Sequence, residues 1–311
     1  MIHMPLRMAG FAVGLAVLFQ TPPAVALQVF ACEPEWAALA TELGGDKVET
    51  FSATTARQDP HQIQARPALI ARLRSADLVV CTAAELEIGW MPMLLRQAAN
   101  ARVQPGTPGY FEAAQYVRLL EKPTRLDRAE GDIHPAGNPH IQTDPRNVAA
   151  VAAVLARRLS EIDPADSAVF AQRSQNFTGR WNAAMQRWAQ QGAPLRGTAI
   201  ATYHKGWAYL EDWLGLRETG TIEPKPGIPP GSQYLAQLVT ELPARGVRGI
   251  LYAAYEDPRA SEFVAERIHV PAIMLPYTVG GSERARDLFG LFDDTIERLN
   301  RGLAGGASAN R

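Results

Sequence analysis

The chain has 311 residues, 47% of them apolar and 20% charged, which is too long for one small core and too apolar for wholesale disorder. Its 31 basic and 32 acidic side chains leave a formal net charge of -1, so no global field recruits nucleic acid or an anionic membrane. Two compact α/β lobes fit this length, and partners must be read from local features.

The first such feature is the N-terminus. Met1 to Arg7 carries one positive charge, and Ala9 to Phe19 is almost wholly apolar. Pro22-Pro23 breaks any helix, and Ala24-Val25-Ala26 has the small-x-small pattern of a secretory cleavage site. The apolar run falls short of the ~20 residues that span a bilayer. Residues 1–26 therefore read as a cleaved signal peptide, with a periplasmic mature chain starting near Leu27. An N-terminus that is irregular or buried in the core is the alternative.

From Leu27 to about Thr143, short apolar runs alternate with helical stretches, the signature of parallel βα units. Strands are predicted at Leu27 to Cys32, Lys47 to Ala53 and Ala76 to Thr82. Helices are predicted at Glu35 to Leu43, closed by Gly44-Gly45, and at Pro67 to Ser75. Asp144-Pro145 opens a further helix, with Asp as N-cap and Pro in the first turn. Pro164 to Gln191 is the longest helical stretch. Its Phe170, Phe177, Trp181, Met185 and Trp188 recur at helical spacing and form one packing stripe. Its place mid-chain suggests a rigid strut between two lobes rather than a piece of either.

Beyond Gly192 the βα rhythm resumes. Strands are predicted at Thr198 to Thr202, Glu218 to Ile222, Arg248 to Ala253 and Ala272 to Leu275. Helices are predicted at Lys205 to Leu214, Ser232 to Ala244, Arg259 to Ile268 and Glu283 to Leu299. The expected fold is α/β, with two lobes, each a parallel sheet flanked by helices, joined by one long rigid helix. The divisions are a first lobe at 27–160, a linking helix at 161–192, a second lobe at 193–303 and a flexible tail at 304–311.

Two cysteines, Cys32 and Cys81, each end an apolar run that reads as a buried strand. Neighbouring parallel strands ending at one edge bring them within bridging distance, and an oxidising compartment permits the bond. Two separate buried thiols are the alternative.

Of six histidines, His3 lies in the signal segment. His61 and His140 each follow a proline in a loop, and His204 stands where a strand hands over to a helix. Ligands of open α/β sheets bind at such strand ends, and neutral imidazole is the commonest side chain for Zn²⁺. Two ligands from one lobe and one from the other put the metal in the cleft between them. No compact H-x-x-x-H spacing links the three, and each histidine alone also fits an ordinary surface or hydrogen-bonded role.

Four segments together resemble the metal-binding receptors of zinc and manganese ABC importers. They are Asp59-Pro60-His61, Gly131 to His140 leading into Asp144-Pro145, Tyr203-His204-Lys205-Gly206-Trp207, and Ile222-Glu223-Pro224-Lys225-Pro226-Gly227. The resemblance runs from about Leu27 to Leu299. It implies a periplasmic zinc-binding receptor, not an enzyme, that acts as a monomer and passes one Zn²⁺ per chain to an ABC-type permease in the membrane. On that pattern His61 and His140 come from the first lobe and His204 from the second. A histidine at the third position resembles the zinc members, and imidazole nitrogens favour zinc over manganese on chemical grounds.

The sequence departs from the family at the fourth ligand. Where relatives carry an Asp after the last strand, this chain reads Pro276-Tyr277-Thr278-Val279-Gly280-Gly281. Water, Glu256 or Asp59 is left to complete the tetrahedron. His134, in a Gly/Pro-punctuated loop, is expected to relay metal rather than hold it. A secreted zinc hydrolase with an open His₃ site is the competing function, although no HExxH helix or Ser/His/Asp pattern accompanies it. A receptor for siderophores or organic anions would want an Arg-lined cleft, which the sequence does not announce.

Overall fold

The computed structural model describes residues 26–124, 131 and 134–305. The predicted signal peptide and nearly all of the predicted tail lie outside the described residues. Ala304 and Gly305, assigned to that tail, instead finish the last helix.

In chain order the first half holds β1 (Leu27–Ala31), α1 (Pro34–Gly44), β2 (Val48–Ser52), α2 (Pro67–Ser75), β3 (Leu78–Cys81), α3 (Met91–Ala98) and β4 (Tyr110–Glu112). Its four parallel strands lie in the order β2-β1-β3-β4. After α4 (Pro145–Ile162) and α5 (Ser167–Gly192) come β5 (Ala199–Thr202), α6 (Ala208–Leu214), β6 (Arg217–Thr221), α7 (Ser232–Glu241), β7 (Ile250–Ala253), α8 (Pro258–Ile268), β8 (Ala272–Leu275) and α9 (Leu288–Gly305). The second sheet, also parallel, runs β6-β5-β7-β8, the same order as the first.

Local chemistry explains most boundaries. Pro34, Pro67, Pro145 and Pro258 each sit in a first helical turn, where the missing N–H costs nothing. Asp144 caps α4 by accepting from Arg146 N, and Asp257 caps α8 through Arg259 N. Gly45, at φ 61°, ends α1 in a conformation that side chains resist. α9 starts at Leu288 rather than Glu283, because Ser282 and Asp287 turn the intervening loop by accepting from Ala285 N and Gly290 N.

The long helix is shorter and less free-standing than its sequence suggests. Pro164–Asp166 forms a tight 3₁₀ turn, and α5 proper begins at Ser167. At 26 residues it is about 39 Å long. It is no bare strut. Phe170, Phe177, Trp181 and Trp188 are fully buried along one stripe, and Met185 is half-buried. Trp181 donates to Pro145 O at 2.9 Å, and its ring centroid lies 4.9 Å from that of Phe289 and 5.6 Å from that of Phe292, both on α9. Arg173 reaches Glu42 O at the end of α1. The helix thus packs on elements of both lobes, and its aromatic stripe belongs to one core shared by them.

β1 and β3 are neighbours, in register through Ala31 and Val80. The next residues, Cys32 and Cys81, are therefore opposed, and they form a disulfide with Cα atoms 4.8 Å apart. The paired-strand expectation holds. Among the described residues no helix is long and apolar enough to cross a membrane.

Candidate metal centre

Parallel sheets place the residues after every strand along one edge, and here the two edges face each other. His61 follows β2, His140 lies in the loop before α4, and His204 follows β5. The structure brings these three together. One ring nitrogen from each lies within 4.8 Å of the others. The ring centroids are 5.2 to 5.4 Å apart.

Each imidazole is held by an oxygen at Nδ1. Asp59 Oδ1 takes His61 at 2.7 Å, Glu223 Oε2 takes His204 at 2.8 Å, and the Tyr277 hydroxyl meets His140 Nδ1. The Nε2 atoms are thereby turned towards a common point. His61 Nε2 is buried and without a partner, and His140 Nε2 lies 3.2 Å from His204 Nε2. A tetrahedral zinc with Zn–N of about 2.05 Å has edges of about 3.3 Å, so this pair already stands at ligand spacing. Oxygen partners on the remote nitrogen are what fix tautomer and orientation in metal-binding histidines.

The hydrogen-bond pattern assigns the tautomers. His61 and His204 donate from Nδ1 to carboxylates, leaving Nε2 lone pairs. His140 cannot do the same without metal, because its Nε2 needs a hydrogen to bridge to His204 Nε2. It then accepts the Tyr277 hydroxyl at Nδ1. With a cation held at Nε2 that hydrogen would be lost, and His140 Nδ1–H would donate to Tyr277 Oη.

Electrostatics suit a dication. Burial, then the neighbouring His61 and His204, hold His140 well below the usual histidine range, so it is neutral and able to ligate. Burial works to raise Asp59, but the hydrogen bond and charge of His61 outweigh it and hold the carboxylate below its ordinary value. Asp59 and Glu223 place two carboxylates one hydrogen bond behind the imidazoles, a charge that would match one divalent ion.

The other named residues fall differently. Asp59, a candidate fourth ligand, is engaged at His61 Nδ1 and at His61 N, 3.0 Å away. Glu256 lines the same side of the cleft, but its carboxylate accepts from Ala253 N at the end of β7. Burial first, then Glu223 and Asp59, push Glu256 up to about 8. Neither carboxylate is among the convergent atoms. His134 has a buried Nε2 with no partner and a ring 5.4 Å from His61, outside the triad. It lines a cavity of about 360 Å³ with His140, His204, Glu121 and Lys205. Burial, followed by His61 and His204, lowers it to about 4. His269, the remaining described histidine, is an exposed C-cap of α8.

Sequence reasoning missed the orienting roles of Glu223 and Tyr277. Glu223 lies in a quoted motif, yet nothing in the motif says that it faces His204. Tyr277 lies in the Pro276–Gly281 stretch, whose lack of a carboxylate was the signal, and nothing there says that its hydroxyl reaches His140. The lobes also meet directly around the triad. Tyr209 Oη donates to Asn138 O at 2.6 Å, and Asn138 Nδ2 donates to Lys205 O at 2.8 Å.

A family model described as the periplasmic component A of a zinc-uptake complex matches residues 29–302. The high-affinity zinc uptake system protein ZnuA of Yersinia pestis is 26% identical over 200 residues, covering 59% of this chain and 61% of that protein. The aligned stretch thus spans less than two thirds of that relative. The manganese ABC transporter substrate-binding lipoprotein PsaA of Streptococcus mitis is 19% identical over 283 residues, 89% of each chain. Among solved structures, a crystal structure of ZnuA superposes with a TM-score of 0.74 at 22% identity, covering 90% of this chain and all of the other. An S38A mutant of a periplasmic metal-binding protein from candidatus liberibacter asiaticus, bound to Mn, gives 0.72 at 13% identity, covering 88% and 98%. Both likenesses establish the two-lobed fold.

Proposed function

The chain belongs to the family of periplasmic zinc-uptake component A proteins, and on that premise we propose that it captures one Zn²⁺ between its lobes and delivers it to an ABC-type permease. The ligands are His61, His140 and His204. One observation carries this reading: three Nε2 atoms converge while each Nδ1 is held from behind by Asp59, Tyr277 or Glu223.

The proposed preference for zinc rests on the donor set. Manganese favours oxygen ligands, whereas the inner atoms here are nitrogens. The position after β8 carries Tyr277, whose oxygen is spent on His140 rather than offered to metal. Water is the proposed fourth ligand, since Asp59 and Glu256 are engaged elsewhere. The proposed entry route passes His134, which lines the cavity of about 360 Å³.

The chain is proposed to work in the periplasm as a monomer, released there by removal of residues 1–26. The divisions 27–160, 161–192 and 193–303 are proposed as its working units, although α4 runs on to Ile162, the linking helix proper is Ser167–Gly192 and α9 ends at Gly305. A hydrolase gains no support from the cleft. Glu256, the buried carboxyl on that side, is tied to a backbone amide instead of facing a ligand-bound water.

Elemental analysis and competition titration test the proposal. One zinc per chain, held against excess manganese, is expected. Preferential loading with manganese, or zinc binding unaffected by loss of any of the three histidines, would overturn it.

A further inference from the structure

A second set of donor atoms lies in the first lobe, outside the histidine triad. Cys32 and Cys81 are joined at the ends of β1 and β3, and the Glu87 carboxylate lies within 4.8 Å of both sulfurs. Next to Glu87, though outside that group of three, stands Glu33, the residue after Cys32. The two carboxyl groups are 3% and 4% exposed, as deep as the core, and the cysteines sit among Phe30, Ala53, Val79 and Trp90.

Glu87 has a structural occupation, since it accepts from Thr82 N and Ala83 N. Glu33 is only half explained. Its Oε2 accepts from Thr82 N and Thr82 Oγ1, but its Oε1 is buried with no partner. Such an atom has given up water for nothing. The partners of both carboxyls are amides, a hydroxyl and each other. Among the described residues no Lys or Arg is paired with either. A disulfide alone has no use for two desolvated carboxyls at its side.

We propose that Cys32, Cys81 and Glu87, completed by Glu33, are a second metal site for one thiophilic divalent cation such as Zn²⁺ or Cd²⁺, closed while the bridge is intact and opened by its reduction. Two thiolates and two carboxyl oxygens are a sufficient tetrahedral set for such an ion. The positive charge missing from this buried acidic corner is what the ion would bring.

The chemistry balances with a dithiol as reductant. The Cys32–Cys81 S–S bond breaks, its sulfurs leave as two thiols, and the dithiol is oxidised to its cyclic disulfide. The cation then displaces both thiol protons to water, together with the Glu87 proton where one is present. Access lies through the segment that carries Glu87, in which Ala83, Ala84 and Glu85 have φ of 64°, 50° and 70°. Three successive left-handed side-chain residues are costly, and Glu87 holds their first amide.

The test uses the full mature protein, its triad first filled with Zn²⁺, reduced anaerobically with a dithiol that is then removed. Because the chain has two cysteines only, any thiolate-to-cadmium charge-transfer absorption reports this site. The expected result is a band that saturates at one Cd²⁺ per chain, with native circular dichroism, and is absent from the oxidised protein. Glu33→Gln and Glu87→Gln should each weaken it at least tenfold, while His204→Ala should leave the band in place, separating this site from the triad. The proposal is overturned if two titratable thiols give no band, if the band accompanies loss of native dichroism, or if the native bridge resists the dithiol even with Cd²⁺ in excess.

Discussion

Tyr277 and His140 come from opposite lobes, yet the tyrosine hydroxyl sits on the histidine's Nδ1. The contact is fully buried, and Tyr277 holds it with a backbone φ of 67°. One lobe therefore orients a proposed ligand that the other lobe supplies.

The first expectation follows from that contact. Tyr277→Phe removes the acceptor that His140 Nδ1–H needs once its Nε2 binds metal. Loss of such a partner typically costs about 10- to 100-fold in metal affinity. Competition titration with a zinc chelator measures it, and an unchanged Kd would remove Tyr277 from the account. Tyr277→Asp, which suits the left-handed backbone better, should raise Mn²⁺ affinity relative to Zn²⁺ by returning an oxygen donor.

The ligands themselves come next. His61→Ala, His140→Ala and His204→Ala should each weaken zinc at least tenfold, about 1.4 kcal/mol. His134→Ala should leave the equilibrium nearly unchanged and slow the capture of zinc, as read by stopped-flow mixing. Equal losses of affinity in His134→Ala and His140→Ala would make His134 a ligand instead of a relay.

The pH dependence of the metal-free protein has a definite sign. Burial raises Glu211 and Glu256 to about 8, and Glu35 and Glu87 to about 7, from 4.5. Raised folded values give stability that is present at low pH and lost as pH climbs through 7 and 8. His134, lowered to about 4, and His140 work the other way, losing stability as pH falls below about 6.5. The metal-free protein should thus melt higher at about pH 6.5 than at about pH 8.5, as followed by scanning fluorimetry. The reverse order would contradict the buried, uncharged carboxyls.

Zinc should raise the melting temperature without folding the molecule closed. A ligand at a thousandfold excess over its Kd stabilises by about 4 kcal/mol. Yet α5 packs on α1, α4 and α9 at once, so wide hinge motion would tear a shared core. Solution scattering should show little change in radius of gyration, and a contraction of several ångströms would refute the rigid core. Trp181→Ala, which empties the middle of that stripe, should cost about 3–5 kcal/mol by denaturant unfolding.

Much of this was legible beforehand. The βα alternation places strands and helices within a few residues, because proline and aspartate mark the helix starts chemically. The short elements α3 and β4 escape notice, since Met91–Ala98 and Tyr110–Glu112 are too brief for a period to declare itself. The three histidines were separable from the others by resemblance alone. Their holders were not, because Glu223 and Tyr277 meet their partners across 19 and 137 residues, and no local pattern encodes such a contact.

The repeated strand order carries a consequence for how such a receptor diversifies. Both sheets aim all of their strands at one cleft, so every loop there is anchored in a β-strand core that ignores the loop's composition. A change at Tyr277, which follows β8, would alter the site without replacing a strand residue. Tyr277 is also a core residue, packed on Trp207 and Tyr255, so at this position the ion site and the stability of the fold are coupled. A substitution there must satisfy both demands at once, the geometry of the cleft and the packing beneath it.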